Sequence, residues 1–194
     1  MNKKPNYIVV VPSRFASTRL PGKPLIKING LPMIIRTCFQ CFKVVERQKL
    51  YVATDNKKIQ SCCKKYNIQT ILTSKNCKTG TDRVGEVANK IKAKTYINVQ
   101  GDEPIFNPAD LMKIIKQSHL DKNSVLLGYT KIKKKKDYFD VNTPKVVFDK
   151  NENLLFASRA PIPFSKKYKK NSWRQVLTYA FPREALKKFS KLKK

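Results

Sequence analysis

Residues 7–25 read YIVVVPSRFASTRLPGKPL. The first five form a continuous apolar run rich in β-branched side chains, which predicts a short strand buried on both faces, as in a parallel sheet. A polar loop follows at once. In an open α/β sheet the ligand crevice lies beyond the carboxyl ends of the strands, so this loop is where a nucleotide would sit. Arg14, Arg19 and Lys23 offer cationic donors to a triphosphate. Gly22 and the hydroxyls of Ser13, Ser17 and Thr18 let the backbone approach closely and add hydrogen bonds. The loop is neither a Walker loop nor a dinucleotide fingerprint. By itself, a basic loop in a chain with 42 Lys and Arg residues reads equally well as solvated surface.

Outward from this stretch the pattern alternates. Residues 32–45 have apolar positions at helical spacing with proline in the first turn, and residues 49–53 read as a second buried strand, which completes a βαβ unit. Helices are expected over 56–66, 81–91 (introduced by the turn 78–80) and 108–117, with strands over 70–72, 95–99 and 124–131. After Val141 two strands, 145–149 and 154–157, flank the turn composition Lys150-Asn151-Glu152-Asn153 and predict a hairpin. A strand over 175–181 and a lysine-rich helix over 183–192 follow. The expected fold is α/β: a three-layer α/β/α sandwich with a mostly parallel sheet, formed by residues 1–194 as a single domain with a small hairpin subdomain at about 141–181.

Composition narrows the functional classes. Hydrophobic residues are 41% of the chain, which argues for a packed core, and no run of about 18 apolar residues is present to span a membrane. With no signal-peptide core after Met-Asn-Lys-Lys-Pro, the expected location is the cytoplasm. The net charge of +29 first suggests a polyanion partner. It is, however, lysine spread over the whole length, with denser clusters at 131–136 and 166–170 and no aromatic-interleaved stripe, so nucleic acid is not the expected partner. The five cysteines, at 38, 41, 62, 63 and 77, read as reduced and packed thiols, because Cys38 and Cys41 fall in a helical segment without a second pair at metal-binding spacing. His119, the sole histidine, reads as a surface residue in a polar segment after a helix.

The third strong strand ends in Asn98-Val99-Gln100-Gly101-Asp102-Glu103-Pro104. A carboxylate there, after a glycine that frees the backbone, is placed to hold magnesium against nucleotide phosphates, since this hard cation takes oxygen ligands and keeps several waters. Asp102 is the candidate; the competing reading is that Asp102 and Glu103 cap the next helix or shape a turn.

Residues 7–25, Thr79-Gly80-Thr81-Asp82-Arg83, residues 98–104, and residues 145–163 with Ser158-Arg159-Ala160 occur in the order and near the spacing of one family. The chain resembles the 3-deoxy-manno-octulosonate cytidylyltransferases (CMP-Kdo synthetases), from residue 7 to about 190, a fold of the nucleotide-diphospho-sugar transferase type. The resemblance implies a magnesium-dependent nucleotidyltransferase that moves CMP from CTP to the anomeric hydroxyl of Kdo or a related 3-deoxy sugar acid, in lipopolysaccharide biosynthesis. It implies catalytic roles for Arg14, Lys23 and Asp102, with Asp102 as the metal ligand. Pro12, Ser13 and Arg83 would bind the nucleotide's base and ribose. Gln100, Arg159 and Tyr179 would bind the sugar acid, and the region around 141–181 would lie on the sugar and dimer side of a homodimer.

The family pattern continues for about 50 residues beyond Lys194, including an acidic helix and a second magnesium-binding aspartate, a modest share of a one-domain chain. Its His-Leu-Gly-Ile-Tyr-Gly-Tyr strand corresponds to residues 175–181, where Gln175 stands for a sugar-contacting histidine and Leu177 for a glycine. The alternatives are a truncated, inactive homologue that still binds CTP, an acylneuraminate-type cytidylyltransferase, and a basic nucleic-acid-binding module.

Overall fold

Strand β1 (Tyr7–Ser13) carries the opening apolar run and is buried along six of its seven residues. Its alternate side chains enter opposite cores, as the two-residue period of a strand requires. Val9 and Val11 pack in one cluster, Ile8 and Val10 in the other. The computed structural model describes residues 5–16, 20–165 and 171–192. Ser17, Thr18 and Arg19 of the loop, the 166–170 lysine cluster and the side chain of Leu177 lie outside the described residues.

After β1 come a 3₁₀ turn at Lys23–Leu25, a two-residue hairpin β2 (Lys27–Ile28) and β3 (Leu31–Pro32), helix α1 (Met33–Phe42), strand β4 (Leu50–Thr54) and helix α2 (Lys57–Lys65). Strand β5 (Gln69–Leu72), helix α3 (Gly80–Lys90), strand β6 (Thr95–Val99) and helix α4 (Pro108–Leu120) continue the alternation. The remaining elements are β7 (Leu126–Lys131), α5 (Lys135–Phe139), β8 (Lys145–Phe148), β9 (Leu154–Ser158), β10 (Trp173–Pro182) and α6 (Arg183–Ser190).

The chain forms two compact units. In the first, residues up to 126 and from 178, the strand order is β5-β4-β1-β6-β10. β4 and β6 pair in parallel with β1, through Val9↔Leu50 and Tyr7↔Thr95, β5 pairs in parallel with β4, and the end of β10 runs antiparallel to β6. One core cluster joins the sheet to α1, α2 and α4 through Ile34, Ile59 and Leu111, and the other joins it to α3 and α6 through Val84 and Leu186. Two apolar layers, each closed by helices, make this unit the three-layer α/β/α sandwich that the alternation predicts.

The second unit, residues 127–177, is built on the antiparallel pair β8 and β9. Their turn is held by Asp149, whose Oδ1 accepts from the backbone N–H of Asn151 and Asn153. Trp173 at the start of β10 pairs with Val146, and Tyr129, Phe148 and Trp173 cluster with ring centroids 4.6–5.6 Å apart.

Several expected boundaries move. The strand expected over 124–131 starts at Leu126 because the Asp121 carboxylate accepts from the N–H of Asn123 and Ser124 and holds them in a turn. His119 lies inside α4, in its last turn, rather than after the helix; it is exposed, with its ring 5.7 Å from that of Tyr7. All five cysteines are free thiols, and burial pushes Cys41 and Cys63 up to about 12, which agrees with packed, inert sulfur. Among the described residues no helix is long and apolar enough to cross a membrane.

Candidate functional site

The first unit carries a cavity of about 630 Å³ at the carboxyl ends of β1 and β6. Each wall follows from a local feature of the chain. The loop after β1 is folded back on itself by the Gly22 N–H, which donates to the Phe15 carbonyl at 3.1 Å. Gly22 has φ 69°, a left-handed conformation that glycine adopts without a Cβ penalty. The 3₁₀ turn that follows starts with Lys23 and aims it into the cavity, which Pro12, Ser13 and Arg14 also line.

Across the cavity, Gly101 brings the end of β6 against the end of β1. A Cβ there would stand 2.7 Å from the Pro12 carbonyl oxygen and 3.2 Å from Ile34 Cδ1, so no other residue allows this approach without moving backbone. The buried Thr37 hydroxyl of α1 lies 3.1 Å from the Gly101 carbonyl oxygen and fixes the same peptide from below. The result is a contact across 79 residues of sequence: Lys23 Nζ donates to Asp102 Oδ2 at 2.7 Å. Both side chains keep access to solvent, at 39% and 48% exposure. Arg14 is exposed on the same wall. Asp102 does not cap the next helix; Asn107 does, accepting from the Ala109 N–H at 3.0 Å.

A third wall is the start of α3. Thr79 and Asp82 form a reciprocal capping box, which sets the helix start beside the cavity, and Gln100 faces Gly80 there. Arg83, one turn on, lines the cavity yet is only 3% exposed. Its Nη2 donates to Asp55 Oδ2 at 2.6 Å, and its Nη1 donates to Thr73 Oγ1 at 2.6 Å and to the Ser74 carbonyl at 3.2 Å.

Of the residues singled out in the sequence, Pro12, Ser13, Arg14, Lys23, Arg83, Gln100 and Asp102 therefore share one cavity. Tyr179 sits on β10 opposite Asn98, its ring stacked on Phe181 with centroids 5.7 Å apart, and is not among the described residues that line the cavity. Arg159 belongs to the second unit. There its Nη1 donates to the Val141 carbonyl at 3.0 Å and its own carbonyl accepts from Lys145 Nζ at 2.9 Å. Lys145 is buried, and desolvation pushes its pKa down while the Asp140 carboxylate opposes the shift. Sequence reasoning missed Asp55 and Thr37, and it also passed over Lys78, a further cation on the cavity wall.

The oxygen chemistry fits magnesium in a limited way. Among the described residues no three acidic, histidine or cysteine side chains cluster as a metal cage. A single solvent-accessible carboxylate, Asp102, is a donor that this ion accepts when waters and substrate phosphates supply the rest.

A mostly parallel α/β sheet with a cationic crevice beyond its strand ends is the architecture of a nucleotide-binding α/β protein. The sequence model of the cytidylyltransferase family matches residues 8–194. The 3-deoxy-manno-octulosonate cytidylyltransferase of Escherichia coli is 32% identical over 186 residues, 95% of this chain and 76% of that one. The chain belongs to the cytidylyltransferases and, among them, to the 3-deoxy-manno-octulosonate cytidylyltransferase family. The relative from Saccharophagus degradans is 38% identical over 184 residues, 92% of this chain and 69% of its own length. The structure of a CMP:2-keto-3-deoxy-manno-octonic acid synthetase complexed with CTP superposes with a TM-score of 0.89 at 32% identity, covering 97% of this chain and 79% of that one.

Proposed function

We propose that this chain moves CMP from CTP to the anomeric hydroxyl of Kdo or a closely related 3-deoxy sugar acid and releases pyrophosphate. The observation that carries the reading is the meeting of Lys23 and Asp102 at 2.7 Å in a cavity that Arg14 also lines. The family membership and the CTP complex of a synthetase with the same fold support it.

The reaction breaks the bond between the α-phosphorus and the oxygen bridging to the β-phosphate, and forms one between that phosphorus and the sugar oxygen. It needs no covalent nucleophile on the protein. Its demands are placement and the stabilisation of charge that builds on the leaving pyrophosphate. Lys23 and Arg14 are suited to that charge, since both are cations on the cavity wall with access to a bound phosphate chain. Pro12, Ser13 and Arg83 hold the nucleoside end, and Gln100 serves the sugar acid from the cavity wall, a role that the family resemblance extends to Tyr179 on β10, outside that wall. Asp102 would hold magnesium; when bound, the ion offsets phosphate charge and polarises the phosphorus–oxygen bonds.

The test is pyrophosphate release by the purified chain with CTP and magnesium against a panel of Kdo, 8-amino-Kdo and sialic acids. A CMP–sugar product that needs both magnesium and Asp102 is the expected result. A folded protein that yields no pyrophosphate with any acid in the panel overturns the reading; calorimetric CTP binding without turnover would then identify a nucleotide-binding homologue. A sialic acid preference would move it to the acylneuraminate type.

A further inference from the structure

Asp55 has no role in the reading above, yet the structure spends a buried charge on it. It directly follows β4, whose last residue Thr54 is paired with Ser13, so it stands on the sheet edge that bears the cavity. Its side chain is 12% exposed and that of its partner Arg83 is 4% exposed. Its second oxygen, Oδ1, is buried with no partner among the described residues. A buried ion pair is a poor source of stability, because apolar groups of similar volume often do as well. What it does supply is a fixed orientation.

That orientation can be followed donor by donor. The Thr73 hydroxyl and the Ser74 carbonyl take the two Nη1 protons of Arg83, and Asp55 takes one Nη2 proton. The guanidinium is planar and cannot deprotonate, so the donors that remain, Nε–H and the second Nη2 proton, are locked into one plane. Three segments converge on this single group: the end of β4, the loop after β5, and α3. The Thr73 N–H also donates to the Thr54 carbonyl at 2.8 Å, which ties the second segment to the first.

We infer that Asp55 is the positioning residue that fixes Arg83 as a rigid donor on the cavity wall, and that through Arg83 it sets the preference for a cytosine over a uracil nucleotide. The inference rests on the nucleoside role given to Arg83 above. The chemistry is one of matching signs: cytosine presents acceptors at O2 and N3, whereas uracil presents an N–H at N3. O2 accepts in both bases, so the discrimination falls on N3: a donor held there that cannot turn away or deprotonate accepts cytosine and rejects uracil, because the wrong base sets two donors against each other.

The experiment compares the full chain with Asp55→Asn, Asp55→Ala, Arg83→Gln and the double variant Asp55→Asn/Arg83→Gln. Calorimetry with CTP and with UTP, both with magnesium, gives the affinities, and thermal melts report folding. Asp55→Asn is nearly isosteric and decides the matter if Asp55→Ala does not fold. The expected result is an approximately tenfold loss of CTP affinity in Asp55→Asn with UTP affinity nearly unchanged, so that the CTP/UTP ratio collapses. Arg83→Gln reproduces the loss, and adding Asp55→Asn to it costs nothing more, as required of a residue that acts only through Arg83. A retained CTP/UTP ratio in Asp55→Asn, or losses that multiply in the double variant, overturns the inference. Wild-type chain that binds neither nucleotide removes the nucleoside reading itself; wild-type binding with indifferent Asp55 variants removes the positioning role alone.

Discussion

Lys23 and Asp102 touch with roughly half of Asp102 open to solvent, and a pair so placed contributes only about 0–1 kcal/mol to stability. A triphosphate brings far more charge to Lys23 than one carboxylate does, so the contact is easily exchanged. Asp102 then has two opposite effects: alone it repels the phosphates, and with magnesium it attracts them. Asp102→Asn should therefore bind CTP at least as well as wild type in EDTA but more weakly with magnesium, and calorimetry under the two conditions reads this crossover. Its kcat/KM should fall by about 10²–10³, the loss expected when one fixed charge-stabilising group is removed. Lys23→Met forfeits charge-assisted hydrogen bonds of about 1.5–3 kcal/mol, so the KM for CTP should rise roughly tenfold or more. An unchanged KM would remove Lys23 from the phosphate site.

At the scale of elements, the site exists because β1 and β6 come close at their carboxyl ends, and Gly101 is the condition for that approach. Gly101→Ala must displace the Pro12 carbonyl, a backbone atom with little freedom, at about 1–3 kcal/mol of overpacking. Since the displaced segment carries Ser13 and Arg14, the variant should lose CTP affinity along with stability, as melts and calorimetry together will show. Thr37→Val keeps the side-chain volume but deletes the hydroxyl beside the Gly101 carbonyl. A net loss of about 1 kcal/mol should lower Tm by about 2–4 °C, with a smaller effect on CTP binding than Gly101→Ala.

The same elements show what the sequence makes visible. β1, β4 and β6 were legible because strands covered on both faces must be apolar throughout, and the loops after β1 and β6 gave Arg14, Lys23 and Asp102 as the groups facing the crevice. The two-residue strands β2 and β3 are too short to show a period, and α5 is hidden in a lysine run that has no apolar stripe before Tyr138. Asp55 was missed because Thr54-Asp55-Asn56 reads as a turn before a helix cap, and Asn56 does cap α2. Its partner Arg83 lies 28 residues away, and Gly101 lies 64 residues from Thr37. Spacing along the chain carries no signal for such pairs. The one available clue was positional: Asp55 follows β4 as Asp102 follows β6.

For the whole molecule the dominant physical fact is the charge, 42 Lys and Arg against 13 Asp and Glu. A net +29 surrounds the crevice with a positive field, and CTP with magnesium still arrives as an anion. Such a field acts on encounter more than on chemistry, because it raises the local concentration of anions before any contact forms. Screening shortens its reach from about 10 Å at 0.1 M salt to about 3 Å at 1 M, while the contacts of Lys23 and Arg14 with bound phosphates stay within that distance. Raising the ionic strength from about 0.05 to 0.5 M should therefore increase the KM for CTP several-fold and leave kcat within about twofold. Lys23→Met should show the same salt dependence from a higher starting KM, since the field comes from the whole surface and not from one lysine. A KM indifferent to salt would show that the net charge has no part in nucleotide capture and that the contacts of Lys23 and Arg14 alone set the affinity.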